Sequence, residues 1–190
     1  DILSAIKYPV ALAPNPVVGY MTKPALVAEI CRKYSQVVAV NFAGLDDDGY
    51  FIELRSLINR EMAYNVPLGG TPNTLALGAN GIIGGEFNII PKTFRRYLDA
   101  YESGKYDQAA LVYADLKMFS RYVSPWSPAY PRWIKMAMKV LKLPGGEGGP
   151  REPYRMPSED EVKKFTHGLL KLRIPEIDEY ARRAGLAIPS

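Results

Sequence analysis

Up to Gly84 the chain alternates short apolar runs with amphipathic stretches. Pro9–Ala13, Val37–Asn41, Met62–Val66 and Gly81–Gly84 are brief, apolar and bounded by turn residues, so each reads as a buried strand. Between them the period changes to that of a helix. Thr22 and Pro24 mark a helix start, and Leu26, Val27, Ile30, Cys31 and Tyr34 form its apolar stripe. Tyr50–Asn59 reads as a second helix, and Leu68-Gly69-Gly70-Thr71 turns into a short one ending at Gly78. Asp1–Lys7 looks like the end of a helix, and Pro14-Asn15-Pro16 breaks the chain into a loop. No hairpin signal joins any two strands. The pattern predicts parallel βα units.

After the fourth strand only the helical period remains. Pro91 opens a helix in which Phe94, Tyr97, Leu98 and Tyr101 share a face, with Gly104 placed as its C-terminal glycine. Ala109, Val112, Tyr113, Leu116 and Phe119 repeat the stripe. Pro125, Pro128 and Pro131 then interrupt the chain before a helix carrying Trp133, Ala137, Val140 and Leu141. The stretch PGGEGGP, Pro144–Pro150, reads as a flexible joint. Ser158-Glu159-Asp160-Glu161 is a capping box, and Pro175 divides that helix from a final one.

Composition narrows the partners. With 190 residues, 47% of them hydrophobic, the chain fills one well-sized domain, and no run of 18 apolar residues offers a transmembrane helix. The net charge of +4 is scattered. Arg95-Arg96, Lys163-Lys164 and Arg182-Arg183 each sit beside acids on helices, so they read as solvated faces and not as a nucleic-acid patch. The single cysteine, Cys31, has no internal disulfide partner and fits a reducing cytoplasm. The start, DILSAIKYPVALAP, reads as an internal start with no signal peptide.

The stretch the chain is organised around is Ala76–Pro91, ALGANGIIGGEFNIIP. It holds the apolar pair Ile82-Ile83, read as buried, then Gly84-Gly85, Glu86 and Asn88. The two glycines allow a ligand close to the backbone at the carboxyl end of a strand. This stretch resembles the last barrel strand of the dihydrodipicolinate synthase/N-acetylneuraminate lyase family, which often reads ALGAxGVISxxANVxP. The likeness runs on to the C-terminus, where Gly149–Pro153 (GPREP) is similar to that family's linker before its last helices. The resemblance implies an α/β fold: the C-terminal half of a TIM (βα)8 barrel, four parallel strands over residues 1–103, followed by a C-terminal helical extension over 104–190. The first half of the barrel is then missing: it is a separate chain, or this is a fragment whose partner was lost, or the boundary starts late. Two open parallel edges imply association with that half, and the family resemblance implies a homo-oligomer.

In that family a lysine near the end of the sixth strand forms a Schiff base with pyruvate. The matching stretch is Ala39-Val40-Asn41-Phe42-Ala43-Gly44, with Asn41 at the lysine position, and an amide nitrogen forms no iminium. The family's proton-relaying tyrosine, at the end of the fifth strand, is matched by Ala13. Its carboxylate-binding arginine has only Val17-Val18 as counterparts. Tyr64-Asn65-Val66-Pro67 spells the family's YNVP literally, but on the predicted seventh strand, so the match reads as coincidence; Tyr64 could still project into the barrel mouth.

Other residues carry readings of their own. Glu86 is either a base or ammonium-binding carboxylate over the barrel mouth, or a rim residue paired with an Arg or Lys. Gly69-Gly70-Thr71 precedes a helix and is either an anion-binding loop or a structural turn. Gly84 and Gly85 are candidate ligand-contacting positions. Asp46-Asp47-Asp48 reads as a solvated acidic loop before a metal site, Lys23, Lys33 and Lys92 as surface lysines, and His167 as a helix residue with no catalytic partner. PGGEGGP is no phosphate loop, since no strand feeds it and no Lys follows. No metal or cofactor is expected. Two functions follow: an aldolase-type lyase fold acting on 2-keto acids or another small anionic ligand, without the Schiff-base lysine, or a non-catalytic binding, regulatory or structural homologue.

Overall fold

The computed structural model describes residues 2–16, 19–42, 48–68, 71–129 and 132–189. They form two compact units, Asp1–Gly84 and Gly85–Ser190. The counterparts of the family arginine (Val17-Val18), the acidic pair Asp46-Asp47 and the glycines Gly69 and Gly70 lie outside the described residues.

The first unit is a four-stranded parallel sheet in sequential order. Its elements are α1 (Ile2–Ala5), β1 (Val10–Leu12), α2 (Pro24–Lys33), β2 (Val37–Asn41), α3 (Asp48–Leu57), β3 (Ala63–Val66), α4 (Thr71–Ala76) and β4 (Gly81–Ile82). Proline supplies the start of α2: Pro24 occupies its first turn, where its missing N–H costs nothing. The cap position itself falls to Lys23, with no side-chain cap bond. Thr22 serves elsewhere, its carbonyl accepting from the Tyr50 hydroxyl at 2.7 Å.

One face of this sheet is covered by helices. Val40, Tyr64, Val66, Met62 and Phe42 pack there with Val27, Ala28 and Cys31 of α2 and Tyr50, Phe51 and Leu54 of α3. Phe42, Phe51 and Tyr64 meet edge-on or tilted, with ring centroids 5.6 to 6.4 Å apart. Two anticipated strand residues depart from their buried reading. Val38 is 41% exposed, because the pairing with β1 shifts between Val10↔Val37 and Ala11↔Ala39 and leaves it without a partner there. Ile83 is 37% exposed and Ile82 half-buried, because β4 is a two-residue strand at the sheet edge. Leu26 departs too, 49% exposed on α2 while Val27, Ala28 and Cys31 take the buried positions.

The second unit is helical: a 3₁₀ turn at Gly85–Asn88, α5 (Pro91–Glu102), α6 (Tyr106–Val123), a 3₁₀ turn at Ser124–Ala129, α7 (Arg132–Val140), α8 (Glu159–Lys171) and α9 (Pro175–Ala184). Its stripes close on each other. Leu116 and Phe119 of α6, Met136 and Ala137 of α7, Phe165 and Leu169 of α8, and Ile177 and Ala181 of α9 are all fully buried. The capping box at Ser158 forms: its hydroxyl accepts from Glu161 N–H, and Glu161 Oε2 accepts from Ser158 N–H at 2.9 Å. Gly104, at φ +70°, ends α5 as expected of a glycine in the left-handed region. The Gly145-Gly146 part of PGGEGGP is a packed turn and not a flexible joint. A Cβ on Gly146 would come within 2.5 Å of the Met138 carbonyl, so only glycine lets the chain lie against α7.

Candidate functional site

Pairing across the sheet sorts its side chains by face. Ala39 pairs with Ala63, Asn41 with Asn65, and Asn65 with Gly81. Paired residues share a face, and alternation sets these against Val40, Tyr64 and Val66, which look toward the helices. The open face therefore carries Ala39, Asn41, Ala63, Asn65 and Gly81, with Ala11 joining through its pairing to Ala39. Among these described positions none is charged. Asn41 lies at the carboxyl end of β2, the end at which α/β folds place their ligands.

The two asparagines are joined. Asn65 Nδ2 donates to Asn41 Oδ1 at 2.6 Å, and Asn65 Oδ1 lies over Gly81 so closely that a Cβ there would fall 1.9 Å from it. Glycine at 81 is thus what lets the Asn65 carboxamide lie flat across the sheet toward Asn41. Asn65 is a candidate that motif reading misses, hidden inside the literal YNVP. Period-two alternation would have found it, since it shares a register position with Asn41.

Tyr64 is correspondingly turned the other way. It is 5% exposed among Phe42, Phe51 and Cys31, and burial, with a smaller push from Cys31 and against the opposing pull of Arg55 and Arg60, raises its hydroxyl above the ordinary tyrosine range. It projects into the helix-covered core and not toward the strand ends. Ala13, just past β1, is exposed.

The remaining candidates separate. Thr71 is fully buried at the start of α4, and its hydroxyl donates to the Pro67 carbonyl at 2.9 Å, which anchors the turn. Asp48 opens α3, its Oδ2 accepting from Asn73 Nδ2 at 3.3 Å. Gly84 ends the first unit, while Gly85 and Glu86 belong to the second. Glu86 Oε1 accepts from the Ser120 hydroxyl of α6 at 2.9 Å, so the described partner is a hydroxyl and not the Arg or Lys of the rim reading. Lys92 is held by both carboxylate oxygens of Glu179, at 3.0 and 3.1 Å. Next to it, buried Glu176 accepts from the N–H groups of Lys92 and Thr93 and from the Thr93 and Tyr180 hydroxyls, tying α9 to the first turn of α5.

A cavity of about 710 Å³ in the first unit lies at the opposite end of the sheet. It is lined by Arg55, Arg60, Met62, Tyr64 and Asn80, which precede or begin β3 and β4. Both guanidiniums there are spent on backbone. Arg55 donates to the Leu77 carbonyl, and Arg60 to those of Cys31 and Val37. Asn80 accepts from Tyr64 N–H at 2.7 Å and donates to the Met62 carbonyl at 3.1 Å, extending the ladder where β4 has not begun. This end serves stability.

Residues 4–172 match the model of the Dihydrodipicolinate synthetase family. The 4-hydroxy-tetrahydrodipicolinate synthase of Methanococcus maripaludis is 27% identical over 148 residues, covering 77% of this chain and 50% of its own length. Among solved structures, a dihydrodipicolinate synthase from Bacillus anthracis superposes with a TM-score of 0.78 at 20% identity, over 88% of this chain and 56% of that one. A prophage protein of the dihydrodipicolinic acid synthase family from E. coli K12, solved in complex with pyruvate, gives a TM-score of 0.76 at 20% identity, over 90% of this chain and 58% of that one. The chain spans about half the length of the curated relatives it matches. With its parallel sheet and C-terminal helices matching the corresponding part of those TIM barrels, this chain belongs to the dihydrodipicolinate synthetase family.

Proposed function

We propose that this chain is an aldolase-type family member that binds a small 2-keto acid, or another small anionic ligand, at the carboxyl ends of its strands without forming an imine at its sixth-strand position. The observation that carries the reading is the Asn41–Asn65 hydrogen bond on the open face. A carboxamide nitrogen is delocalised into its carbonyl and is no nucleophile, so Asn41 can hold a ligand but cannot condense with it. Ala13, the counterpart of the family's relay tyrosine, offers no hydroxyl. The lysines nearest in sequence give no substitute: Lys23 and Lys33 are exposed, and Lys92 is paired with Glu179. An imine-forming lysine needs a desolvated, partly unprotonated amine.

The same two departures support a second reading, a non-catalytic binding, regulatory or structural homologue. In either, the sheet is half of a closed barrel running through α5 to residue 103, the helices from 104 onward form its extension, and the assembly is a homo-oligomer. Cys31, buried and with its thiol pushed above the usual range by that burial, fits a reducing cytoplasm.

Pyruvate with borohydride, followed by peptide mass mapping, tests the proposal. We expect no adduct on the natural chain, and at most a weak one after Asn41→Lys, since Ala13 still leaves the proton relay absent. A stoichiometric adduct on Lys23, Lys33 or Lys92 would restore Schiff-base chemistry and overturn the reading.

A further inference from the structure

In the helical unit a cavity of about 410 Å³ opens between the turn Ser124–Ala129, the start of α7 and the first two turns of α8. Pro125, Trp126, Arg132, Glu161 and Lys164 line it. Trp126 is held in place by Phe165, whose ring it meets edge-on with centroids 5.3 Å apart. The polar groups around that apolar wall are out of balance. The Nε of Arg132 is buried and has no hydrogen-bond partner among the described residues, where a buried donor of a folded protein normally has one. Lys164 is exposed and enters no ion pair among those residues, unlike Lys163, which pairs with Asp160 at 3.3 Å. The carboxylate of Glu161 is committed to its own helix. It accepts from the Ser158 N–H at 2.9 Å and from the Ser158 hydroxyl at 3.0 Å. Those bonds hold the Glu161 carboxyl below the usual range, with Arg132 adding the smallest pull against slight desolvation.

Arg132 is also the first residue of α7, whose first turn contains no acid. A helix N-terminus is itself positive, so the macrodipole opposes a cation there and favours an anion beside it. We propose that this cavity binds a small aromatic carboxylate, its carboxylate between Arg132 and Lys164 and its ring against Trp126 and Pro125. The unused Nε is the telling atom, because with its neighbouring Nη it forms the fork that takes a carboxylate through two parallel bonds. An apolar wall with a few placed polar groups, in a space larger than a bare carboxylate fills, is how small-molecule sites are built. Asn41 and Asn65 belong to the other unit, so this site stands or falls without them.

The probe is benzoate, titrated into the 190-residue chain while the indole N–H resonances of its two tryptophans are followed by NMR. Trp126→Phe assigns the two signals, and that of Trp133, buried against Phe119, reports that each variant is folded. We expect a saturable shift of the Trp126 signal. Benzamide, the neutral isostere, should bind about tenfold more weakly or worse, and so should benzoate to Arg132→Gln. Lys164→Gln should weaken benzoate by about threefold, since an exposed cation contributes less. Inorganic phosphate, an anion without a ring, should bind more weakly than benzoate. No saturable shift, equal affinity for benzamide, or unchanged affinity in a folded Arg132→Gln chain would overturn the proposal. Phosphate binding as tightly as benzoate would overturn the aromatic class of the ligand.

Discussion

The two units solve the problem of burying apolar surface in different ways. The helical unit closes on itself. Leu116, Phe119, Met136, Phe165, Leu169 and Ile177 come from four helices and meet in one fully buried core, and the carboxylate of Glu176 that goes in with them accepts four hydrogen bonds. The sheet unit closes on one side only. Its aromatic layer at Phe42, Phe51 and Tyr64 is as dry as the helical core, yet Ile83 and Val38 remain about two-fifths exposed. The difference teaches where each unit's stability resides. In the helical unit it is spread through the interior, while in the sheet unit it is confined to the layer between strands and helices.

Truncating each region should make that contrast measurable. Phe119→Ala removes a fully buried ring packed edge-on against Trp133 at 5.7 Å, and should cost about 3–5 kcal/mol in denaturant unfolding. Ile83→Ala on the open side should cost the isolated chain less, on the order of 1–2 kcal/mol, since Ile83 is 37% exposed and only the buried part of its side chain is lost. Equal costs at the two positions would mean that the sheet is covered in solution, and the contrast would fall.

Much of this was readable from the chain, and the part that was not has a physical cause. Apolar runs at Val37–Asn41 and Met62–Val66 gave the strands, and the helical stripes gave α6 and α7, because local period is set by which face is buried. Ser158 and Pro175 gave their helix starts, because caps act through near neighbours. Ile83 departs from its buried reading because exposure at a sheet edge depends on what lies beside it, and Val38 because the register with β1 shifts there; no window on the sequence contains either. Asn65 escapes motif reading because YNVP singles out its tyrosine, which lies in the core, while the asparagine beside it bonds to Asn41 on the other face. Glu86 was placed by motif position, but its hydroxyl partner lies 34 residues away in sequence.

Alkaline pH sharpens the contrast from the helical side. Tyr97 and Tyr122, both in the second unit, have hydroxyls pushed up to about 12, first by burial and then, for Tyr97, by the neighbouring Tyr113 and Tyr101. A raised folded-state pKa means stability that is whole below the unfolded value near 10 and lost as pH climbs through about 12. Helix loss and tyrosinate absorbance should therefore rise together in that window. The buried Tyr97 hydroxyl has no hydrogen-bond partner among the described residues, so Tyr97→Phe should stabilise the chain by roughly 1 kcal/mol at neutral pH and flatten the alkaline limb. A loss of stability on that substitution would show that the hydroxyl is satisfied after all.

The smallest expected effect tests the open face most closely. Gly81→Ala places a methyl where Asn65 Oδ1 now lies, 1.9 Å from the built Cβ position. The obstacle is the end of a flexible side chain, so the backbone need not move; Asn65 swings away and its bond to Asn41 breaks. That lost bond costs about 1 kcal/mol. Replacing glycine by alanine returns about 0.4–1 kcal/mol through the unfolded chain, where alanine has fewer states to lose. The net change in stability should therefore lie within about 0.5 kcal/mol of zero. The carboxamide resonances of Asn41 and Asn65 should shift all the same, and affinity for pyruvate should fall with them if the pair holds the ligand. Unmoved resonances would mean that the two side chains are not joined in solution. Moved resonances with unchanged pyruvate affinity would leave the pair as a structural clasp and overturn its role in holding the ligand.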